Sequence, residues 1–192
     1  MGHFLNFGPG PNMLAEPWQN LEPNHDIRKR LRFGDGTCSA VLAEHVIEHV
    51  SFLQGYTFLG EVLRILEPGG VLRLAFPDIG RFVYDRAGGS YALTPGALGY
   101  AQKLSMKADG AWSAGLNDRD LARHGMLRML TGWGHSMAWT APSAAGVLLA
   151  IGFSSVQLCE YNKGKIAGMD GHHRDVGPEL AMVESSVLEA TK

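Results

Sequence analysis

Residues 37–76 read TCSAVLAEHVIEHVSFLQGYTFLGEVLRILEPGGVLRLAF, and their pattern decides the fold. Thr37–Ala43 is apolar and follows a Gly34-Asp35-Gly36 turn, as a strand buried on both faces of a parallel sheet does. Phe58, Leu59, Val62, Leu63 and Leu66 then recur at helical spacing and stop at Pro68-Gly69-Gly70. Val71–Phe76 is a second apolar run, closed by Pro77. Strand, helix and strand in this order predict a right-handed βαβ crossover, with the first strand at the centre of a sheet.

Towards the N-terminus, His3–Phe7 and Trp18–Glu22 read as two more strands, with Asp26–Phe33 as a third beside them. Gly8-Pro9-Gly10-Pro11-Asn12 can continue neither strand nor helix, and the few residues between Gly10 and Trp18 leave no room for a long helix. Towards the C-terminus, the stretch from Asp78 to about Gly134 is irregular, apart from an Asn117/Asp120 capping pair ahead of a helix carrying Leu121, Leu127 and Leu130. Thr140 caps a helix through Leu148, Leu149 and Ile151, which Gly152 stops. Val156–Tyr161 and Val183–Ala190 supply the last strands. These elements predict one three-layer α/β domain over residues 1–192, built on a mostly parallel sheet of six or seven strands.

The composition narrows the partners. Of 192 residues 45% are hydrophobic and the net charge is -2, so no field of one sign recommends nucleic acid or an anionic membrane. The basic run Arg28, Lys29, Arg30 and Arg32 reads as a solvated edge. The two cysteines, Cys38 and Cys159, sit in apolar runs without ligand spacing and read as buried free thiols. No apolar stretch approaches the ~20 residues a membrane span needs, and a cytoplasmic protein is expected.

Chemistry gathers at the strand ends. Gly8 and Gly10 follow the first strand, where glycine lets backbone approach a nucleotide-like ligand; Met13 takes the place of the third glycine of a dinucleotide fingerprint. Glu22 ends the second strand, where a carboxylate can accept from both hydroxyls of a ribose, and Asp26 with Ile27 offers an acid for an adenine amine and an apolar face for its ring. His45-Val46-Ile47-Glu48-His49 also matches HxxEH, a zinc-peptidase pattern, but that pattern needs a surrounding helix and here a buried strand runs into it. No metal is expected.

FLNFGPGPN, WQNLE, HDIRKRLRF, DGTCSAVLAEHVIEHV and FLGEVLRILEPGGVLRLAFPDI, with GHSMAW and LLAIGFSSV more weakly, together resemble a branch of the class I S-adenosylmethionine-dependent methyltransferases. The resemblance implies a Rossmann-like sheet with an antiparallel C-terminal strand and S-adenosylmethionine as cofactor. It implies a cofactor site at Phe7, Gly8, Pro9 and Gly10 for the methionine moiety, Glu22 for the ribose, Asp26 and Ile27 for adenine, and Ala43, Glu44 and His45 closing the edge. Pro9 stands where many relatives have cysteine. His49 and His135 are the candidates for a base, if the acceptor must lose a proton. A small-molecule acceptor is expected in the insertion 78–139, lined by Phe82, Tyr84, Trp133, His135 and Trp139. Two alternatives stay open: a non-catalytic binding protein on the same fold, and the HxxEH zinc hydrolase.

Overall fold

The computed structural model describes residues 2–11, 13–21, 25–86, 90–93, 98–102, 115–160, 163–166 and 184–192, with backbone alone over 83–86 and 90–93. Six strands form one sheet: β1 (His3–Phe7), β2 (Trp18–Leu21), β3 (Cys38–Glu44), β4 (Leu66–Pro77), β7 (Ser155–Cys159) and β8 (Ser185–Thr191), in the order β2-β1-β3-β4-β8-β7. The first four run parallel, and β8 is antiparallel to both β4 and β7. A separate two-stranded ribbon pairs β5 (Val83–Arg86) with β6 (Ser90–Leu93).

The βαβ unit is present as read, with β3 and β4 at the centre of the sheet. Its helix, α1 (Phe52–Ile65), starts earlier than the apolar spacing showed. Ser51 and Gln54 form a capping box that satisfies the first orphan amides, and Phe58, Leu59, Val62 and Ile65 turn inward. Pro68-Gly69-Gly70, read as what stops the helix, lies within β4 as an irregularity. Register against β3 jumps from Cys38↔Leu66 to Ala40↔Val71, and Gly69 takes φ +81° to make the jump.

The helix α2 (Asp118–Thr131) starts at the Asn117 cap. Leu127, read as one of its apolar face, is exposed, and Ala122, Gly125 and Met129 pack inward instead. Helix α3 (Ala141–Ile151) has a Thr140/Ser143 capping box and ends at Gly152; Leu148 is buried and Leu149 faces outward. Cys159 is only half-buried, because β7 is an edge strand on which Ser155, Gln157 and Leu158 are exposed.

The two faces of the sheet are covered differently. Helices α1 and α3 pack over Leu5, Phe7, Val41, Leu72, Leu74 and Phe76. Over the other face the described cover is non-helical: Leu14 and Ile166 lie on Trp18, Ala40 and Leu42. The strap 163–166 is locked by a buried ion pair between strand neighbours, Arg73 and Glu189 at 2.9 Å. Arg73 also donates to Lys163 O, and Lys165 N donates to Glu189.

Asp26–Phe33 is not a strand. Asp26 folds back on Arg28, Leu31 N donates to Glu61 at 2.9 Å, and Arg64 collects the carbonyls of Leu31 and Phe33. Helix α1 thus ties the segment down as a loop, with Leu31 buried and the basic side chains outward. Among the described residues no helix is long and apolar enough to cross a membrane.

Candidate active site

Strands β1, β3 and β4 end together at one edge, and each exit is shaped by a residue that a regular strand would not carry. Gly8 and Gly10 take φ +64° and +53°, turning the chain away after Phe7. A Cβ on Gly8 would collide with Val46, whereas one on Gly10 would point into open space. The turn is held without a helix behind it. Asn6, buried in β1, donates to Asn20 Oδ1 at 2.9 Å, and the Asn20 amide makes two hydrogen bonds to the backbone of Leu14.

The expected cofactor residues fall into three groups. Gly8, Gly10 and His45 shape the edge. The side chains of Phe7, Pro9, Ala43 and Glu44 are buried, and Phe7 meets Phe58 edge to face at 5.3 Å, so Phe7 can offer a ligand only its backbone. Ile27 is half-buried against the core, while Asp26 accepts from Arg28 Nε at 2.7 Å and Nη2 at 3.0 Å. Those hydrogen bonds hold the Asp26 carboxyl down at about 2, so an adenine amine there would compete with Arg28. Glu22 lies outside the described residues.

After β3 the chain bends sharply. His45 has φ +52° and its ring turns inward, with Nε2 3.1 Å from Ser185 Oγ and Nδ1 3.1 Å from Glu48 Oε1. It therefore joins β3 to the start of β8. His45 and His49 do not share a helical face, since residues 47–49 are one 3-10 turn, and the HxxEH geometry is not formed. His49 meets His135 instead, ring to ring at 4.9 Å. Glu48 O accepts from Ser136 N at 2.7 Å and Met137 N at 3.1 Å, which fastens the His135 segment to that turn. His135 Nδ1 lies 2.6 Å from Met129 O. A carbonyl only accepts, so Nδ1 carries the proton and Nε2 has the lone pair.

The expected acceptor residues also separate. Trp133 is exposed at φ +54°, 5.9 Å from the His135 ring and beneath the Arg128 guanidinium. Trp139 is buried in the main core beside Phe52, and Phe82 is buried against Tyr100 in a second small core, so neither lines an open site. Burial and the neighbouring Glu184 push the Tyr100 hydroxyl up. The side chain of Tyr84 lies outside what is described.

Two acids at this edge escaped the sequence reading. Asp78, directly after β4, accepts from Gly80 N, Ala141 N and Ser186 Oγ; Glu184, at the start of β8, is buried near His45. An acid directly after an apolar strand, as in LRLAFPD, is the signal that would have marked Asp78.

Comparison with known proteins bears on the fold. Residues 5–74 match the family described as "Methyltransferase domain". A structure of an S-adenosylmethionine-dependent methyltransferase from Mesorhizobium loti is similar at TM-score 0.52 and 12% identity, over 100% of this chain and 92% of that one. One from Archaeoglobus fulgidus is similar at TM-score 0.53 and 12% identity, over 100% and 86%. Against a larger chain from Nostoc punctiforme, at 14% identity and TM-score 0.47, this protein covers 91% of itself and spans only 36% of the other. No curated protein matches the sequence. The match over residues 5–74 and the six-stranded sheet make the chain similar in fold to the class I S-adenosylmethionine-dependent methyltransferases.

Proposed function

We propose that the protein transfers a methyl group to a small-molecule acceptor held between the turn Ile47–His49 and the segment Gly132–His135, by in-line displacement. The observation that carries this reading is the meeting of His49 and His135 at the sheet edge where the glycine turn also opens. In open α/β sheets, ligands bind outside the carboxyl ends of the strands.

The residues fit S-adenosylmethionine at one informative place. The open space beside Gly10 is what a Cβ would fill, and the turn presents backbone there. Gly8 and Gly10 would pass the methionine end, Glu22 would take the ribose, and the loop at Asp26 and Ile27 would border adenine. When bound, the cofactor supplies a methyl group already activated on a sulfonium.

The chain's own contribution is then mainly positioning, since donor and acceptor must meet at about 3 to 3.5 Å. Trp133 offers an aromatic face to the acceptor. His135, with Nδ1–H spent on Met129 O, has its Nε2 lone pair available to take a proton from an acceptor hydroxyl or amine.

Calorimetry with S-adenosylmethionine and S-adenosylhomocysteine, followed by a labelled-methyl assay over small hydroxy and amino compounds, tests the reading. Binding of both and label in at least one acceptor is expected. Absence of heat for either molecule would overturn it.

A further inference from the structure

Glu48 is buried, with its side chain 1% exposed. Among the described residues neither of its oxygens has a hydrogen-bond partner, and His45 Nδ1, 3.1 Å from Oε1, stands outside hydrogen-bonding geometry. A carboxylate taken out of water without donors is costly and calls for a cation. Beside it, one ligand atom each from Glu48, His49 and His135 all lie within 4.8 Å of one another.

We propose that Glu48, His49 and His135 bind one divalent transition-metal ion, zinc(II) by the chemistry of its donors. Two imidazole nitrogens and one carboxylate oxygen are the donor set of a zinc site with an open fourth position. His135 is already set up as a ligand: donation of Nδ1–H to Met129 O at 2.6 Å leaves Nε2 for the metal, the usual outer-shell arrangement. The two halves of the site are tied together by the hydrogen bonds from Ser136 N and Met137 N to Glu48 O. Tetrahedral coordination at ~2.0–2.1 Å per bond draws the ligand atoms to about 3.4 Å apart, a short closure for side chains on a fixed backbone. His45 is not among the ligands that gather at this site, the reverse of the role HxxEH would give it.

The site goes beyond the methyl-transfer reading and stands without it. Where both hold, an acceptor hydroxyl would enter the open position, the ion would acidify it, and the proton would leave to solvent rather than to His135.

The test uses the full chain, stripped with a chelator and titrated with zinc(II) against a chromophoric competitor, then with cobalt(II) under visible absorption. One equivalent should bind, with cobalt bands of a four-coordinate nitrogen–oxygen site. His135→Ala and Glu48→Gln should each weaken zinc at least tenfold; His49→Ala substitutes if circular dichroism shows Glu48→Gln unfolded. His124→Ala and the double variant His172→Ala/His173→Ala should bind within twofold of the parent. Substoichiometric binding, binding undiminished in the site variants, or binding lost in the His172/His173 variant would overturn the proposal. Calorimetry with S-adenosylmethionine on the metal-free protein reads the cofactor reading separately.

Discussion

A Cβ placed on Gly8 would lie 2.7 Å from Cγ2 of Val46, so the turn after β1 and the loop after β3 meet with no room for a side chain between them. Gly8 is glycine for packing as well as for conformation. Gly8→Ala should lose about 1–3 kcal/mol by overpacking, and Val46→Ala added to it should recover part of the loss. Urea denaturation of the pair decides this; a double variant no more stable than Gly8→Ala alone counts against the contact.

Gly10 separates the two roles, because its Cβ position is open. Gly10→Val should cost stability only through its left-handed φ, about 1–2 kcal/mol, while cofactor affinity falls by more. If thermal unfolding drops sharply and the folded remainder binds normally, the turn is structural.

Glu22→Ala should weaken S-adenosylmethionine binding by roughly 1.5 to 3 kcal/mol, the loss for hydrogen bonds to a charged acceptor. An unchanged dissociation constant with the fold intact removes the ribose assignment.

The Arg73–Glu189 pair under the 163–166 strap is nearly dry. Arg73→Ala should cost ~3–5 kcal/mol by stranding Glu189, whereas Arg73→Met with Glu189→Leu should be far milder. Chemical denaturation of both variants gives the comparison, and equal losses would mean that the strap depends on the charges.

Glu61 sets an acid limit. Its hydrogen bonds from Arg64, with one from Leu31 N, hold the carboxyl below the usual range. That contribution is complete above the unfolded value of about 4.3 and is lost as pH falls through the lower folded value. Glu61→Gln should therefore flatten the acid side of the stability profile while leaving its slope near pH 7 unchanged. A profile parallel to the parent down to pH 3 would contradict it.

What could be read in advance follows what each signal measures. Strands β3 and β4 were legible because burial on both faces writes a continuous apolar run, and α3 because its Thr140 cap and Gly152 stop are local chemistry. Asp26–Phe33 misled because Ile27, Leu31 and Phe33 among basic residues imitate a strand, while its real conformation is dictated by Glu61 and Arg64 from a helix further along. His49 and His135 could each be singled out as imidazoles near strand ends. Their meeting could not, since it depends on how the chain returns after α2. Glu48 was legible only as a letter in HxxEH. That its carboxylate is buried could not be read there, nor could the turn of His45 towards Ser185 at a left-handed residue.

The stretch between β4 and α3 leaves and re-enters the sheet at a single point. Asp78 bridges to Trp139, Ile79 N donates to Trp139 O at 3.0 Å, and the Asp78 carboxylate caps Ala141 N. The two ends of the stretch are thus held at a fixed base, and closing a longer loop adds only ~0.6 kcal/mol per doubling of length. On the methyl-transfer reading proposed above, a change of length or sequence ahead of the segment Gly132–Met137, which Glu48 O fastens, would alter the acceptor and leave the sheet and the glycine turn as they are.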